Sequence, residues 1–111
     1  MIYHIAYPKD WSKANVVGAY SCASLTSEGF IHCSDSNQVV RVANFLFRGQ
    51  TKLVLLEIDE TKLEAKLKYE GETDELFPHV YGQIDLGAII AVHAFEPEAD
   101  GSFKLPTALS N

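Results

Sequence analysis

A chain of 111 residues is the size of one domain, and a composition of 47% apolar and 22% charged residues can supply a buried core. The net charge of −6 argues against nucleic acid or an anionic membrane as a partner, because those surfaces select clustered Lys and Arg. The nine basic residues are instead scattered along the sequence. We therefore expect a single domain over residues 1–111 that binds neither nucleic acid nor a membrane.

The sequence also indicates a cellular location. The first eight residues lack the basic segment and apolar stretch of a secretory signal, and no apolar run approaches the about 20 residues that cross a bilayer. Cys22 and Cys33 are the two cysteines, and without an export signal we expect free thiols in a reducing compartment. A disulfide between them is the less favoured alternative. The expected location is the cytoplasm.

The N-terminal third of the chain predicts two short strands around a helical turn. Residues 2–6 are β-branched and aromatic and predict a strand. Residues 9–14 predict a helical turn, and Gly18 interrupts the segment after it. Residues 20–27 are ambiguous, because turn-forming Ser and Thr are frequent there. Residues 30–33 predict a short buried strand.

The clearest predicted helix comes next. Residues 34–37 open it, and Asp35 and Gln38 have the spacing of a capping box, in which each side chain bonds the other residue's amide. Apolar residues then recur at the helical spacing i, i+4, i+7 and i+8. These residues are Val39, Ala43, Leu46 and Phe47. Gly49 is expected to end the helix.

The C-terminal half predicts mainly strands. Residues 52–58 form a nearly unbroken apolar run, which predicts a central strand buried on both faces. Residues 59–65 predict a short capped helix, and residues 66–70 alternate like a half-buried strand. Residues 71–74 predict a loop, and residues 75–82 an apolar connection that contains a proline.

Residues 88–95 predict a further core strand, and the polar tail from Glu98 is expected to wrap around the domain or to fray. Strands outnumber helices and do not alternate regularly with them. The expected fold class is therefore α+β, not a doubly wound parallel sheet.

Four histidines are the first candidates for acid–base chemistry, because the pKa of histidine lies nearest to neutrality. His32 lies at the end of a predicted strand, directly before the capped helix, where backbone amides favour an anion. Ser34 either caps this helix or points its hydroxyl at a ligand. The alternative is that His32 is a core histidine beside an ordinary cap.

The second candidate segment is residues 77–82, with the sequence FPHVYG. Pro78 and Gly82 favour a defined backbone shape. In an extended segment His79 and Tyr81 share a face, which would put a proton donor or acceptor beside a stacking ring. The alternative is that Phe77 and Tyr81 anchor the segment while His79 is merely exposed.

Other polar residues are less specific. His4 points either into a site or into solvent, and His93, inside a core strand, is expected to be structural. Glu70 ends a strand and either orients a histidine or is a solvated carboxylate. No metal site is expected, because the standard local pairs of Cys and His ligands are missing. Cys33 is a weak candidate nucleophile, since strand alternation points it away from His32.

Together these segments resemble the uncharacterised bacterial and plant family called domain of unknown function 952. The resemblance rests on residues 29–34 (GFIHCS), the apolar run that ends at residues 57–59, Glu70 and residues 77–82, and it covers nearly the whole chain. It implies an ADP-ribosyltransferase-like fold, a split antiparallel β core with flanking helices. Fold alone does not imply function.

The resemblance also suggests a ligand. His4, after Tyr3, is similar to the first-strand histidine of ADP-ribosyltransferases and RNA 2′-phosphotransferases, which contacts a ribose of NAD. Residues 30–34 resemble the His-Val-His-Leu-Ser segment of the phosphotransferases, but Phe30 replaces the first histidine. Glu28 stands where an arginine would meet the RNA 2′-phosphate, and a carboxylate repels phosphate. NAD or another nucleotide-like ligand is implied, without RNA 2′-phosphotransfer.

The resulting hypothesis is one histidine-lined pocket that serves a transferase or hydrolase acting on a nucleotide-like small molecule, with NAD a possible cofactor. The catalytic candidates are His32, His79 and Glu70, and the ligand-binding candidates are His4, Ser34, Tyr81 and Phe77. The alternatives are a non-catalytic module that binds a small ligand and a structural or oligomerisation domain. The sequence does not distinguish a monomer from a homodimer.

Overall fold

Residues 1–109 of the computed structural model form three α-helices and eight strands, and residues 110–111 lie outside the described part. The helices are α1 (Pro8–Val17), α2 (Ala23–Ser27) and α3 (Val39–Leu46). The strands are β1 (Ile2–Ala6), β2 (Ala19–Tyr20), β3 (Ile31–His32), β4 (Leu53–Ile58), β5 (Lys66–Glu70), β6 (Phe77–Tyr81), β7 (Ile84–Asp85) and β8 (Ile89–Phe95). Short 3₁₀ turns cover Glu60–Lys62, Leu86–Ala88 and Thr107–Leu109.

The strands form two three-stranded antiparallel sheets, in the orders β1-β4-β8 and β3-β6-β5, and a small β2-β7 pair. The β1 edge of one sheet meets the β3 edge of the other at Tyr3 and Ser34. Each residue donates its amide to the other's carbonyl, at 2.7 and 2.8 Å. A mixed, antiparallel α+β architecture is therefore confirmed, and the candidate functional site lies at this junction between the sheets.

Strand β4 is the centre of its sheet and is buried on both faces, as predicted. Leu56 and Ile58 belong to one apolar core, and Leu53 and Leu55 belong to a second core on the other face. The second core is closed by α3 and by the C-terminal tail, because Phe103 is buried and its ring stacks on Phe95 at 4.8 Å. The described part of the tail thus wraps around the domain.

Three local predictions need correction. The helical turn over residues 9–14 is the longer helix α1, which has Pro8 in its first turn and Gly18 as a left-handed C-cap. The helix expected over residues 59–65 is one 3₁₀ turn, capped by the Asp59 side chain. The expected connection over residues 75–82 contains strand β6, the centre of the second sheet.

A proline inside a central strand usually argues against that strand, because it cannot donate to the ladder. In β6 the carbonyl of Pro78 accepts a hydrogen bond from the Cys33 amide, just beyond the end of β3. The amide hydrogen that Pro78 lacks would therefore lie at the end of the short ladder between β3 and β6. The strand is compatible with Pro78 for this reason.

The predicted capping box is confirmed. The Gln38 amide donates to the Asp35 carboxylate, and the Asp35 amide donates to the Gln38 side-chain oxygen, each at 3.0 Å. The box closes a turn that precedes α3, so the helix begins at Val39 and ends at Leu46, before Gly49. None of the helices between residues 1 and 109 has the length and apolar character needed to cross a membrane.

Candidate functional site

A cleft of about 810 Å³ lies at the junction of the two sheets. Strand β1 and the bridge residue Ser34 line it, α3 forms one wall, and His32 and His79 form another part of the lining. The two histidines are direct cross-strand partners in the β3-β6 ladder, and their ring centroids are 5.5 Å apart. The structure therefore brings the two predicted histidine segments together on one surface.

The alternation of β3 and β6 explains which side chains reach this surface. Ile31 and Val80 are completely buried in the core below the sheet. His32 and His79, the neighbours of these two residues, point to the opposite face, as the period of two in a strand requires. Strand β5 adds Glu70 to the same face, where it pairs in register with Phe77.

Glu70 holds His79 in a defined orientation. One carboxylate oxygen of Glu70 accepts hydrogen bonds from His79 Nδ1, at 2.9 Å, and from the Tyr81 hydroxyl, at 2.5 Å. These two bonds, with that of Tyr81 the larger effect, lower the pKa of Glu70 and keep it ionised. A neutral His79 that donates from Nδ1 leaves its Nε2 lone pair open to accept a proton.

Tyr81 has a different position from the one expected for a ligand-stacking ring. It lies beside His79 but does not line the cleft, and the Lys68 ammonium lies 5.0 Å from the centre of its ring. The hydrogen bond to Glu70 raises the pKa of the Tyr81 hydroxyl. In this structure Tyr81 orients the carboxylate that in turn orients His79.

His32 also has a carboxylate partner. Its Nε2 lies 3.1 and 3.2 Å from the two carboxylate oxygens of Glu28, and both side chains are exposed. Phe30 packs against both histidines, stacked on His79 at 4.0 Å and edge-on to His32 at 4.8 Å. The site thus contains two histidine–carboxylate pairs whose imidazole rings contact each other and share one aromatic neighbour.

His4 is buried and both of its ring nitrogens have protein partners. Nδ1 donates to the His32 carbonyl at 2.6 Å, and Nε2 accepts from the Tyr20 hydroxyl at 2.7 Å. Burial lowers the pKa of His4 to about 4, so the ring is neutral at physiological pH. His4 lines the cleft, but the predicted ribose contact would require one of these bonds to open.

Ser34 presents an unpaired hydroxyl. The residue is only 5% exposed and its backbone forms the bridge between the sheets. Asp35, and not Ser34, caps the following turn, because its carboxylate accepts from the amides of Asn37 and Gln38. Within residues 1–109 the Ser34 hydroxyl has no hydrogen-bond partner, and the residue lines the cleft. The anion site expected at the helix N-terminus is already occupied by Asp35.

The remaining candidates behave structurally. His93 bonds Glu57 at 3.0 Å, and neither residue lines the cleft. Cys33 is buried, which raises the pKa of its thiol, and it faces away from His32 as alternation predicts. The described residues contain no group of three or more His, Cys, Asp and Glu side chains placed to hold a metal ion.

Comparison with known proteins places this chain in a family. A family model described as Protein of unknown function (DUF952) matches residues 5–92, more than half of the chain. The chain belongs to the DUF952 family.

The DUF952 chain is also similar to a protein of known structure, CC0527 from Caulobacter crescentus. Its crystal structure matches with a TM-score of 0.86 and 32% identity, over 94% of this chain and 93% of that one. Its solution NMR structure matches with a TM-score of 0.83 and 32% identity, over 98% and 96% of the two chains. No curated protein matches the sequence.

Three members of the candidate site are not identified from the sequence. For Glu28 the sequence indicates only an effect on phosphate, because its contact with His32 depends on the end of α2, in a segment whose sequence pattern is ambiguous. Phe30 belongs to the GFIHCS segment but has no predicted role of its own, although alternation puts it on the face of His32. Tyr20 lies in the ambiguous stretch, and nothing in the sequence links it to His4.

Proposed function

We propose that this DUF952 domain is an enzyme, a transferase or hydrolase that acts on a nucleotide-like small molecule in the cytoplasm, with NAD as one candidate. One observation carries the proposal. His32 and His79 each have a carboxylate partner and, among residues 1–109, each keeps one ring nitrogen without a hydrogen-bond partner, on a shared surface of the cleft. Paired, oriented histidines are the arrangement that general acid–base catalysis needs.

The chemistry that this pair supports is a displacement. Water or an acceptor hydroxyl attacks the substrate and gives its proton to Nε2 of His79, while a protonated His32 gives its proton to the leaving group. One bond to the leaving group breaks, one bond to the attacking oxygen forms, and one proton is gained by His79 and lost by His32. Exchange with solvent restores both rings, and Glu70 stabilises the cation that forms on His79.

The other candidates receive supporting roles in this proposal. Phe77 lines the cleft and Ser34 offers a hydroxyl there, so both are assigned to ligand binding. Tyr81 positions Glu70, and His4 positions the backbone of His32, although a ribose contact of His4 stays a prediction. Two antiparallel sheets that meet at a cleft also support an ADP-ribosyltransferase-like fold, which is part of the proposal.

The first test is a ligand screen followed by turnover. We expect at least one of NAD, ADP-ribose, AMP and adenosine to raise the melting temperature, since a ligand that binds only the folded state stabilises it. Proton NMR of the same mixtures then detects conversion of the ligand. The proposal fails if none of the compounds raises the melting temperature and none is converted.

Three variants test the role of the histidines. His79→Ala and His32→Ala should each lower turnover by about 100-fold or more, and melting curves confirm that each variant is folded. His93→Ala is the matched control, because His93 also pairs with a glutamate, at 3.0 Å, but lies outside the cleft. Equal losses in all three variants would contradict the assignment of catalysis to the cleft.

The second candidate function is a binding module without catalysis. The observation that favours it is the wall of the cleft at α3, where Val42, Phe45, Leu46 and Phe47 are apolar. Ligand binding without conversion of any compound would select this function. A structural or oligomerisation domain would instead bind no ligand and show a mass that depends on protein concentration.

A further inference from the structure

The wall of the cleft formed by α3 carries an exposed aromatic surface. Phe45, near the end of α3, is 84% exposed, and the rings of Tyr7 and Phe47 lie 5.7 Å apart. All three side chains line the cleft. Aromatic rings that are exposed inside a cleft offer a stacking surface for a flat ring of a ligand.

The charged side chains of the cleft oppose an anion. Among the first 109 residues, the carboxylates that line it are Asp10 and Glu70, and its one Lys or Arg side chain is Arg41. Arg41 is not available, because both terminal nitrogens of its guanidinium donate to the Glu75 carboxylate. The amides before α3 are already bonded to Asp35. A phosphate in the cleft would therefore meet carboxylates, while the one Arg side chain of the lining is already paired.

The hydroxyl of Ser34 offers a polar contact without charge. The residue is more than nine-tenths buried, lines the cleft and leaves this hydroxyl without a partner in the described part of the chain. This hydroxyl is not one of the fully buried side-chain atoms, so it is accessible from the cleft and can bond a neutral donor or acceptor of the ligand, such as a hydroxyl of a ribose.

From these observations, and resting on the function proposed above, we infer that the cleft binds the uncharged nucleoside part of its substrate. The base stacks on the aromatic surface of Tyr7, Phe45 and Phe47, a ribose hydroxyl bonds Ser34, and any phosphate stays in solvent outside the cleft. The substrate class is a nucleoside, or a molecule that ends in one, recognised through its base and sugar.

Calorimetry on the full chain tests this inference with adenosine and uridine, each against its 5′-monophosphate. At least one nucleoside should bind about fivefold more tightly than its monophosphate at low salt, and the difference should shrink in about 0.5 M NaCl. Phe45→Ala should weaken nucleoside binding about tenfold. Val16→Ala is the matched control, since Val16 is 88% exposed on α1 and does not line the cleft.

Three results would overturn the inference. Tighter binding of both monophosphates than of their nucleosides would place phosphate inside the cleft, and the proposed function would stand. Unchanged nucleoside affinity in Phe45→Ala would show that the base does not stack on Phe45, again without affecting the proposed function. If neither the nucleosides nor any compound of the first screen binds or is converted, the proposed function itself fails. Melting curves of both variants confirm that each is folded.

Discussion

Buried, neutral His4 should make the protein sensitive to mild acid. Protonation would place a charge in the core and would break the hydrogen bond that Nε2 accepts from the Tyr20 hydroxyl. Since the pKa of His4 falls from the ordinary 6.5 to about 4 in the folded state, the unfolded chain binds the proton first as the pH drops. The stabilising contribution is therefore present above pH 6.5 and is lost as the pH falls towards 4.

The size of this loss follows from the two pKa values. A difference of about 2.5 units corresponds to about 3 kcal/mol below the folded-state pKa, of which about 2 kcal/mol is already lost at pH 5. Small domains are stable by only about 5–15 kcal/mol, so this is a measurable fraction. Carboxylates with lowered pKa values, such as Glu70 and Glu75, lose their stabilising contributions only at lower pH. They therefore add little to the loss of stability between pH 7 and pH 5.

Urea unfolding at a series of pH values between about 7.5 and 5 measures the loss directly. His4→Gln is the test variant, because its amide can donate to the His32 carbonyl and accept from Tyr20 without titrating. We expect its free energy of unfolding to fall by about 2 kcal/mol less than that of the wild type between pH 7 and pH 5. His93→Gln is the control, and it should keep the fall that arises from His4.

Two results would refute the reasoning. A wild-type free energy of unfolding that stays constant from about pH 7 to pH 5 would mean that His4 is protonated at no cost in the folded state. An equal fall in wild type and His4→Gln would assign the acid sensitivity to other groups.

The remaining predictions concern packing. Leu55 is completely buried, so Leu55→Ala should lower the free energy of unfolding by about 2–5 kcal/mol, and a loss below about 1 kcal/mol would contradict the core assignment. In the folded protein Cys22 should react with a thiol reagent while Cys33, which is buried and has a raised pKa, reacts only on unfolding; equal rates would refute this. A Cβ at Gly71 would lie 2.0 Å from a backbone oxygen, whereas one at Gly87 meets no atom within 4 Å. Gly71→Ala should therefore destabilise the fold by about 1–3 kcal/mol more than Gly87→Ala, and equal denaturation midpoints would be the contrary result.

The elements that sequence reasoning predicted correctly are those with a strong local pattern. The apolar run of β4 is compatible with the centre of a sheet. The apolar stripe of α3 and the capping box before it are local patterns, contained in one segment of the sequence. The single turn at Glu60–Lys62 has a real cap at Asp59 but too few apolar contacts to extend, so a cap alone predicted too much helix.

The parts that could not be predicted depend on contacts between distant segments. Strand β3 has two residues and no period of its own, so its pairing with β6 is a tertiary fact. Pro78 disfavours a strand in the sequence, because it has no amide to donate. In the fold the Pro78 carbonyl accepts a hydrogen bond from the Cys33 amide, a contact between distant segments. The sequence could place His32 and His79 in unusual segments, but only the register makes them neighbours.

The same network links the stability of the fold to the geometry of the candidate site. Strand β3 is too short to hold His32 by itself, and the His32 carbonyl is fixed from the β1 side by Nδ1 of His4. Protonation of His4 leaves the Nδ1 donor in place but removes the hydrogen bond that Nε2 accepts from Tyr20, so it puts an unpaired charge directly behind this support as the pH falls towards 4. Acid thus acts on the candidate site through the buried His4 ring behind β3, and His4→Gln, which does not titrate, tests this link. A loss of activity towards pH 4 that this variant lacks arises from His4, and a loss that it keeps arises from other groups of the protein.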